Sequence, residues 1–250
     1  MRKLIISDIH GNLSALRTVV MKESFDEIIC LGDIVGYGPQ PNECIDLLKI
    51  FDPLILRGNH EEAVHNLRYR EYFNHLAKEA IEFTDRVLTS QNKDLIKNLP
   101  YDYMEESNRV FFAHSSPYHP DRFVYLAPEN KNNADLKFSF YKMDREGIKV
   151  AFTGHTHYPG FFYRKNNIIS FIPFNQEYDL ILSDDTQYIF NVGSVGQPRN
   201  NNPNAQYVIY DDVLKKLEYK DVKYDIDATR DEIIAKDLPK ELYLRLYRGI

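Results

Sequence analysis

Residues 28–39 decide the fold, and they read Ile28-Ile29-Cys30-Leu31-Gly32-Asp33-Ile34-Val35-Gly36-Tyr37-Gly38-Pro39. The apolar run at the start is typical of a buried β-strand, and it ends at a carboxylate that is followed by a glycine-rich turn. In open α/β sheets the carboxyl ends of the strands gather the groups that bind ligands. Asp33 is therefore the first candidate site residue.

Two neighbouring runs, residues 3–7 and 53–57, end in polar motifs in the same way. Asn12 can cap a helix after the first run, and Pro41 can open a helix after the stretch around Asp33. Strands joined by such helices are nearly always parallel, so we expect three parallel strands whose carboxyl ends share one edge. The side chains delivered to that edge by the two outer runs are Asp8, His10, Asn59, His60 and Glu61.

Two later strand patterns, at 108–113 and 149–154, precede His114 and the pair His155 and His157. Beyond them we predict a second sheet, made of a hairpin over 160–171, a strand over 188–192 and a β pair over 205–219. We expect a single domain over residues 1–250. Insertions above the sheet edge are expected at about 62–107 and 118–148, and a helical tail at about 225–250.

Charge and composition exclude several classes of partner. The formal net charge of -6 leaves no basic face for duplex nucleic acid. Cys30 and Cys44 lack the spacing of a metal finger or a redox motif, which favours structural thiols in a reducing compartment. The apolar run over residues 4–6 is too short for a signal peptide or a membrane span, so a cytoplasmic protein without a membrane partner is expected.

The side chains that follow the strand patterns predict a metal site. One Asp-x-His or His-x-His pair is weak evidence, because an exposed turn histidine explains it as well. Imidazole, carboxylate and amide ligands together suit Mn²⁺, Fe²⁺, Zn²⁺ or Co²⁺ better than Ca²⁺, and the absence of thiolate ligands argues against a closed structural zinc. The candidate ligands are Asp8, His10, Asp33, Asn59, His114, His155 and His157.

These motifs resemble, in order and spacing, those of the calcineurin-like metallophosphoesterase superfamily. The resemblance covers residues 1 to about 200. Residues 32–39 and 191–199 further resemble a bacterial and archaeal branch of small phosphodiesterase or phosphatase-like proteins. The fold that the resemblance implies is an α/β one, a four-layer α/β/β/α sandwich of two mixed sheets.

The resemblance also implies roles for the individual residues. It places Asp8, His10 and His157 on one divalent ion and Asn59, His114 and His155 on another, with Asp33 bridging them. Manganese or iron is expected first, with zinc, cobalt or nickel as alternatives. A hydroxide spanning both ions would attack phosphorus in line.

Four further residues receive roles around that centre. His60 would protonate the departing oxygen or stabilise the transition state, and Glu61 would orient the His60 ring. Arg199 could bring its guanidinium to a phosphate, although a surface arginine fits almost as well. Tyr37 could line the pocket, and a structural turn tyrosine is an equal alternative.

The leading interpretation is a dinuclear metal-dependent hydrolase of a small phosphomonoester or phosphodiester. Phosphoprotein and dinucleoside polyphosphate are the alternative substrates. An explanation of another class is a non-catalytic, metal-containing binding module that holds a partner through the two insertions. The presence of His60 together with all of the candidate ligands counts against that module.

Overall fold

Two βαβ units build the amino-terminal part of the first sheet. In chain order these are β1 (Arg2–Ile6), α1 (Leu13–Lys22), β2 (Glu27–Cys30), α2 (Pro41–Lys49) and β3 (Leu54–Ile55). The strands pair in parallel, β1 with β2 and β2 with β3, as the sequence predicts. Asn12 caps α1 by accepting a hydrogen bond from the Ala15 N–H, and Pro41 is the first residue of α2.

The computed structural model describes residues 1–127 and 133–250. After β3 the chain forms α3 (Asn59–His65), a 3-10 helix (Tyr69–Tyr72), α4 (His75–Val87) and α5 (Ser90–Lys97), which make up most of the segment predicted as the first insertion. A second 3-10 helix (Pro120–Arg122) and α6 (Ala134–Glu146) lie in the segment predicted as the second insertion, of which residues 128–132 fall outside the described part. The division into one domain with two insertions stays a prediction.

The other strands complete two sheets of six strands each. They are β4 (Asp102–Glu105), β5 (Val110–Ala113), β6 (Val150–Thr153), β7 (Gly160–Lys165), β8 (Ile168–Pro173), β9 (Tyr178–Ile181), β10 (Gln187–Asn191), β11 (Ala205–Asp211) and β12 (Lys216–Val222). The first sheet has the order β3-β2-β1-β11-β12-β9, and the second has the order β4-β5-β6-β10-β7-β8. Both sheets are mixed. In the first, β1, β2 and β3 are parallel and the other pairs are antiparallel. In the second, β5, β6 and β10 are parallel and the other pairs are antiparallel.

One predicted assignment is wrong. The β pair at 205–219 does not join the hairpin and β10 in the second sheet, because β11 pairs antiparallel with β1 in the first sheet, with Leu4 opposite Ile209. The edge of β1 that β2 leaves open needs a hydrogen-bonding partner, and the distant β11 provides it. The predicted hairpin is formed by β7 and β8, and it turns at Asn166 and Asn167, whose φ values are 52° and 62°.

Alternating side chains divide the core into layers. In β1, Leu4 and Ile6 pack with α1 and α2, whereas Ile5 faces the second sheet. In the second sheet, Phe112 points toward the first sheet, whereas Phe111 packs against α6. This period-two pattern gives helices, sheet, sheet and helix, which is the predicted four-layer α/β/β/α sandwich.

The tail consists of α7 (Ile226–Ala235) and α8 (Glu241–Leu244). The tail is helical, as predicted, and Asp225 caps α7 by accepting a hydrogen bond from the Ala228 N–H. Ile233 and Leu242 pack in one buried cluster with Tyr37 and Ala77, so the tail supports the turn that follows β2. Within 1–127 and 133–250, no helix combines the length and apolar character that crossing a membrane requires.

Candidate metal centre

The carboxyl ends of the parallel strands from both sheets meet at one edge. Asp8 follows β1, Asp33 follows β2 and Asn59 follows β3, while His114 follows β5 and His155 follows β6. Backbone hydrogen bonds between these loops fix their spacing, including those from the His10 N–H to the Asp33 main-chain carbonyl and from the Gly154 N–H to the His114 main-chain carbonyl. The structure therefore brings together side chains that are far apart in sequence.

Several of the candidate ligands have a left-handed backbone. Their φ values are 54° for Asp8, 48° for His10, 52° for Asp33, 66° for His155 and 57° for His157. Non-glycine residues rarely adopt this conformation, and where they do so together the surrounding structure must hold them against about 1–3 kcal/mol of strain each. Strained residues of this kind cluster at functional sites, and here they are the residues whose side chains meet at the shared sheet edge.

The first group contains Asp8, His10 and His157, and all three residues are buried. His157 Nε2 lies 3.1 Å from Asp8 Oδ1 and 3.1 Å from His10 Nε2. His10 Nε2 is 3.8 Å from Asp8 Oδ1. These three atoms form a compact set of ligand atoms on the β1 side of the centre.

The second group contains Asp33, His114 and His155, which are also buried. His114 Nε2 lies 3.3 Å from Asp33 Oδ2 and 3.2 Å from Asn59 Oδ1. The Asn59 amide oxygen therefore lies beside the same set of candidate ligand atoms. His155 completes the set from β6, with its ring centroid 5.0 Å from that of His114.

Asp33 lies between the two groups. Its Oδ2 is 3.8 Å from His10 Nε2 on one side and 3.3 Å from His114 Nε2 on the other. Its Oδ1 accepts a hydrogen bond of 2.8 Å from the His60 N–H, which fixes the carboxylate in this position.

Main-chain carbonyl groups set the tautomers of three histidines. His10 Nδ1 lies 3.1 Å from the Val35 oxygen, His157 Nδ1 lies 2.6 Å from the Gln197 oxygen, and His155 Nε2 lies 2.8 Å from the Phe123 oxygen. A carbonyl oxygen only accepts, so each of these ring nitrogens donates its N–H, and the other nitrogen of a neutral ring carries a bare lone pair. Those lone pairs point into the centre.

Burial keeps most of these imidazoles neutral. Burial and the charge of the nearby His114 lower the pKa of His155 to about 3. Burial also lowers the pKa values of His10 and His157. His114 is the exception. Burial lowers its pKa as well, but the charge and hydrogen bond of Asp33 act together with the charges of Asp8 and Glu61 and raise it to about 9. The buried carboxylates therefore need a positive charge close by, which His114 supplies in the protein alone.

These observations fit divalent cations. The bare lone pairs of His10 and His157 face each other at 3.1 Å, an arrangement that a shared cation stabilises. Asp8 Oδ1 is buried and has no hydrogen-bond partner among the described residues. Nitrogen and oxygen donors without thiolate suit a transition metal in an open site.

Glu61 does not have its predicted role. Its carboxylate accepts hydrogen bonds from the backbone N–H groups of Asp33, Ile34, Val35 and Gly58, at 2.8, 2.8, 3.2 and 2.8 Å. Both oxygens are thus used by the backbone, and His60 Nδ1 is buried with no partner in the described chain. The prediction that Glu61 orients the His60 ring is wrong, because Glu61 instead holds the loop that carries Asp33.

His60, Tyr37 and Arg199 line a cavity of about 220 Å³ beside the two groups. His60 Nε2 lies 3.9 Å from Asp33 Oδ2, and burial lowers the pKa of His60 to about 4. The buried Tyr37 ring lies 4.8 Å from the His10 ring and 4.7 Å from the His60 ring. Arg199 donates a 2.9 Å hydrogen bond to Gln197 Oε1, and its buried Nε has no partner among the described residues.

Some residues around this cavity carry no sequence signal. Arg245 of the tail places its guanidinium carbon 5.8 Å from the Tyr37 ring centroid, on a ring that Arg199 also approaches at 5.9 Å. Tyr69, Tyr72 and Phe73 line the cavity from the 3-10 helix and the turn after it. No motif marks such residues, since their position depends on how distant segments pack.

Comparisons with known proteins agree with this geometry. Residues 1–159 match the family model described as calcineurin-like phosphoesterase. The chain is 35% identical over 250 residues to the uncharacterized protein MJ0912 of Methanocaldococcus jannaschii, covering 98% of this chain and 97% of the relative.

Solved structures agree as well. A metallophosphoesterase from Sphaerobacter thermophilus superposes with a TM-score of 0.83 at 31% identity, covering 100% of both chains. The hypothetical protein PH1004 from Pyrococcus horikoshii OT3 has the same fold, with a TM-score of 0.78 at 18% identity over 100% of this chain and 98% of that one. From its sequence match and its relatives, the chain belongs to the calcineurin-like phosphoesterase family.

Proposed function

We propose that this protein hydrolyses a small phosphate ester with the help of two divalent transition-metal ions. The observation that carries the proposal is the position of Asp33 Oδ2 between His10 Nε2, at 3.8 Å, and His114 Nε2, at 3.3 Å. A carboxylate between two separate sets of buried nitrogen and oxygen atoms is what a pair of ions requires to offset their mutual repulsion.

The residues that would hold the ions fall into two sets. Asp8, His10 and His157 would hold one ion, and Asn59, His114 and His155 would hold the other, with Asp33 contributing to both. A bound pair of divalent ions polarises phosphoryl oxygens and activates water for attack at phosphorus. Manganese or iron suits this donor set first, and zinc, cobalt or nickel are the alternatives.

The protein's own side chains would position the ester. His60 Nδ1 has no partner in the described chain, so the proton of the neutral ring belongs on Nε2, the nitrogen near Asp33 and the cavity. From there His60 can donate a hydrogen bond to the departing or a phosphoryl oxygen. Arg199, whose Nε has no partner among the described residues, supplies a cation that would bind the phosphate, with Tyr37 packed beside it.

The size of the cavity supports a small ester. Its volume of about 220 Å³ is below the roughly 300–1,000 Å³ of sites that hold drug-sized ligands. It accommodates a phosphate with one modest substituent more readily than a segment of a folded phosphoprotein or a dinucleoside polyphosphate.

The proposed compartment is reducing, in keeping with a cytoplasmic enzyme. Cys30 and Cys44 are both free and fully buried, and burial raises the pKa of each thiol. Buried thiols of this kind are structural and are typical of proteins that are not held together by disulfide bonds.

Turnover of model esters after metal stripping tests the proposal. The stripped protein is assayed with p-nitrophenyl phosphate, bis-p-nitrophenyl phosphate and p-nitrophenyl phenylphosphonate, before and after addition of Mn²⁺. We expect hydrolysis of at least one ester that depends on the added metal. Absence of hydrolysis of all three with both metal sites filled would refute the proposal and favour a non-catalytic binding module.

A further inference from the structure

Aromatic side chains form one side of the cavity next to the metal centre. They come from two segments that are separate in sequence, the 3-10 helix with the turn after it, and the stretch after the second 3-10 helix. We call this surface the aromatic wall, and it consists of Tyr69, Tyr72, Phe73, Phe123 and Tyr125.

The wall is continuous, because its two segments touch. The Tyr69 ring lies 5.7 Å from the Phe123 ring in an edge-to-face contact that joins them. Within the first segment, Tyr69 also lies 5.8 Å from Tyr72 and 5.8 Å from Phe73. The Tyr69 contacts with Phe123 and Phe73 are edge-to-face, and its contact with Tyr72 is tilted. Aromatic pairs at these separations attract each other, so the wall is a packed surface.

The wall reaches both sides of the metal centre. At one end, the Phe73 ring lies 4.9 Å from the His60 ring. At the other end, the Tyr125 ring lies 4.1 Å from the His155 ring. A phosphate placed between the candidate metal ligands and Arg199 would therefore hold its organic substituent against aromatic rings.

Two members of the wall are exposed. The side chain of Tyr72 is 84% exposed and that of Tyr125 is 53% exposed, whereas Phe123 is 5% exposed. Phe123 is buried and Tyr69 and Phe73 are half-buried, so these rings hold the wall in place, while Tyr72 and Tyr125 present surface that a ligand can reach. The cation at this cavity, Arg199, comes from the loop after β10, so aromatic and cationic surfaces are contributed by different parts of the chain.

We propose that the substrate of this site carries a flat aromatic group, an aryl ring or a nucleobase, beside its scissile phosphate, and that this group stacks on the aromatic wall. The inference rests on the proposed phosphoesterase function and specifies its substrate class. Aromatic faces favour a planar π-system over an aliphatic group of equal size, since every base or aryl ring presents a face that stacks.

Binding of two matched phosphonates to the Mn²⁺-loaded protein tests the inference without any turnover. Phenylphosphonate and cyclohexylphosphonate share the same anionic group and nearly the same size, and they differ in having a planar or a puckered ring. Isothermal titration gives a Kd for each. We expect phenylphosphonate to bind about fivefold or more tightly than cyclohexylphosphonate, from the strength of base–aromatic stacking.

Three variants separate stacking from other effects. Tyr125→Leu should abolish the preference for the phenyl ligand, and Tyr125→Phe, which keeps the ring, should retain it. Tyr141→Leu is the control, because Tyr141 is 59% exposed on α6 and does not line the cavity, so the preference should be unchanged.

Each contrary result has a distinct meaning. Equal Kd values for the two phosphonates, or a phenyl preference that survives Tyr125→Leu, would overturn the aromatic inference and leave the proposed function standing. Failure of both phosphonates to bind the metal-loaded protein would refute phosphate recognition at this site, and both proposals would fall together.

Discussion

Replacing Gly58 with alanine tests how tightly the backbone confines the bridging carboxylate. Gly58 precedes Asn59 and has φ -95° and ψ 177°, a conformation that alanine adopts without strain. A methyl group there would nevertheless lie 2.1 Å from Asp33 Oδ1 and 2.5 Å from the Asp33 backbone nitrogen. Rotation of the Asp33 side chain relieves the first clash and leaves the second.

The size of the displacement follows from these distances. Ordinary van der Waals contact begins at 3.4 Å, so the methyl group and Oδ1 must separate by 3.4 minus 2.1, or 1.3 Å. Metal–ligand distances tolerate only about 0.2 Å. Asp33 would therefore lose its position as a ligand, and we expect Gly58→Ala to weaken Mn²⁺ binding by about 10- to 100-fold or more, the loss typical when the support of a ligand is removed.

Gly147→Ala is the matched control. Gly147 ends α6 with a φ of +69°, and nothing lies within 4 Å of a methyl group placed there. Alanine in this left-handed conformation costs about 1–2 kcal/mol of stability. The control is thus destabilised by backbone strain, although its distance from the metal centre should leave Mn²⁺ affinity unchanged.

Titration of the metal-free variants with Mn²⁺, followed by electron paramagnetic resonance of the free ion, measures the affinity, and calorimetry reports the thermal stability. We expect Gly58→Ala to lose Mn²⁺ affinity and Gly147→Ala to lose only stability. Wild-type Mn²⁺ affinity in Gly58→Ala would refute the reasoning about Asp33. An equal loss of Mn²⁺ affinity in both variants would mean that general destabilisation causes the effect.

Three other perturbations have defined outcomes. His60→Gln should keep its metal content but lower kcat by about 10²- to 10⁴-fold, most for phenyl phosphate with its poor leaving group; full activity on that ester would rule out the His60 role. In Glu61→Gln, about half of the backbone N–H groups that Glu61 binds would face the amide NH₂ and lose their acceptor, at a cost of about 1–3 kcal/mol of stability each. The Tm of the Mn²⁺-loaded protein should therefore fall by about 5 °C or more, whereas Glu82→Gln at an exposed position should change it little. Although burial raises the pKa of Asp212, the amino-terminal ammonium and Lys3 lower it more, so its contribution to stability is present above a pH of about 4 and is lost on acidification. Urea unfolding between about pH 5 and pH 2 should therefore show a smaller loss of stability for Asp212→Asn than for wild type, and parallel curves would contradict this assignment.

The parts of the fold that were predictable are those with strong local signals. The strands β1 and β2 contain the uninterrupted apolar stretches 4–6 and 28–30. Asn12, Pro41 and Asp225 mark helix starts at which the structure places helices. The polar residues after each run were predictable for the same reason, because the end of a buried strand is visible as an abrupt change in composition.

The elements that were missed have weak local signals. β4 and β9 lie at the ends of the two sheets and are mostly exposed or half-buried, so they lack apolar runs. β11 and β12 were predicted as strands but assigned to the wrong sheet, because which sheet a strand joins depends on pairing with β1, far away in sequence. The β-propensity of a segment does not indicate which other strand it pairs with.

Which side chains meet at the site was more predictable than the hydrogen bonds and contacts that they make there. The motifs indicated which side chains share the edge, since sheet topology alone brings them there. The hydrogen bonds of Glu61 depend on the path of the loop after Asp33, and the aromatic wall depends on contact between two segments such as Tyr69 and Phe123. Neither follows from spacing along the chain.

Metal stoichiometry tests the central claim most directly. The stripped protein is loaded with Mn²⁺, freed of excess ion and analysed by inductively coupled plasma mass spectrometry, in parallel with Asp33→Asn. We predict two ions per wild-type chain and no more than one in the variant, because Asp33 lies between both sets of candidate ligands. A single ion or none in the wild type, or two tightly held ions in Asp33→Asn, would contradict this prediction.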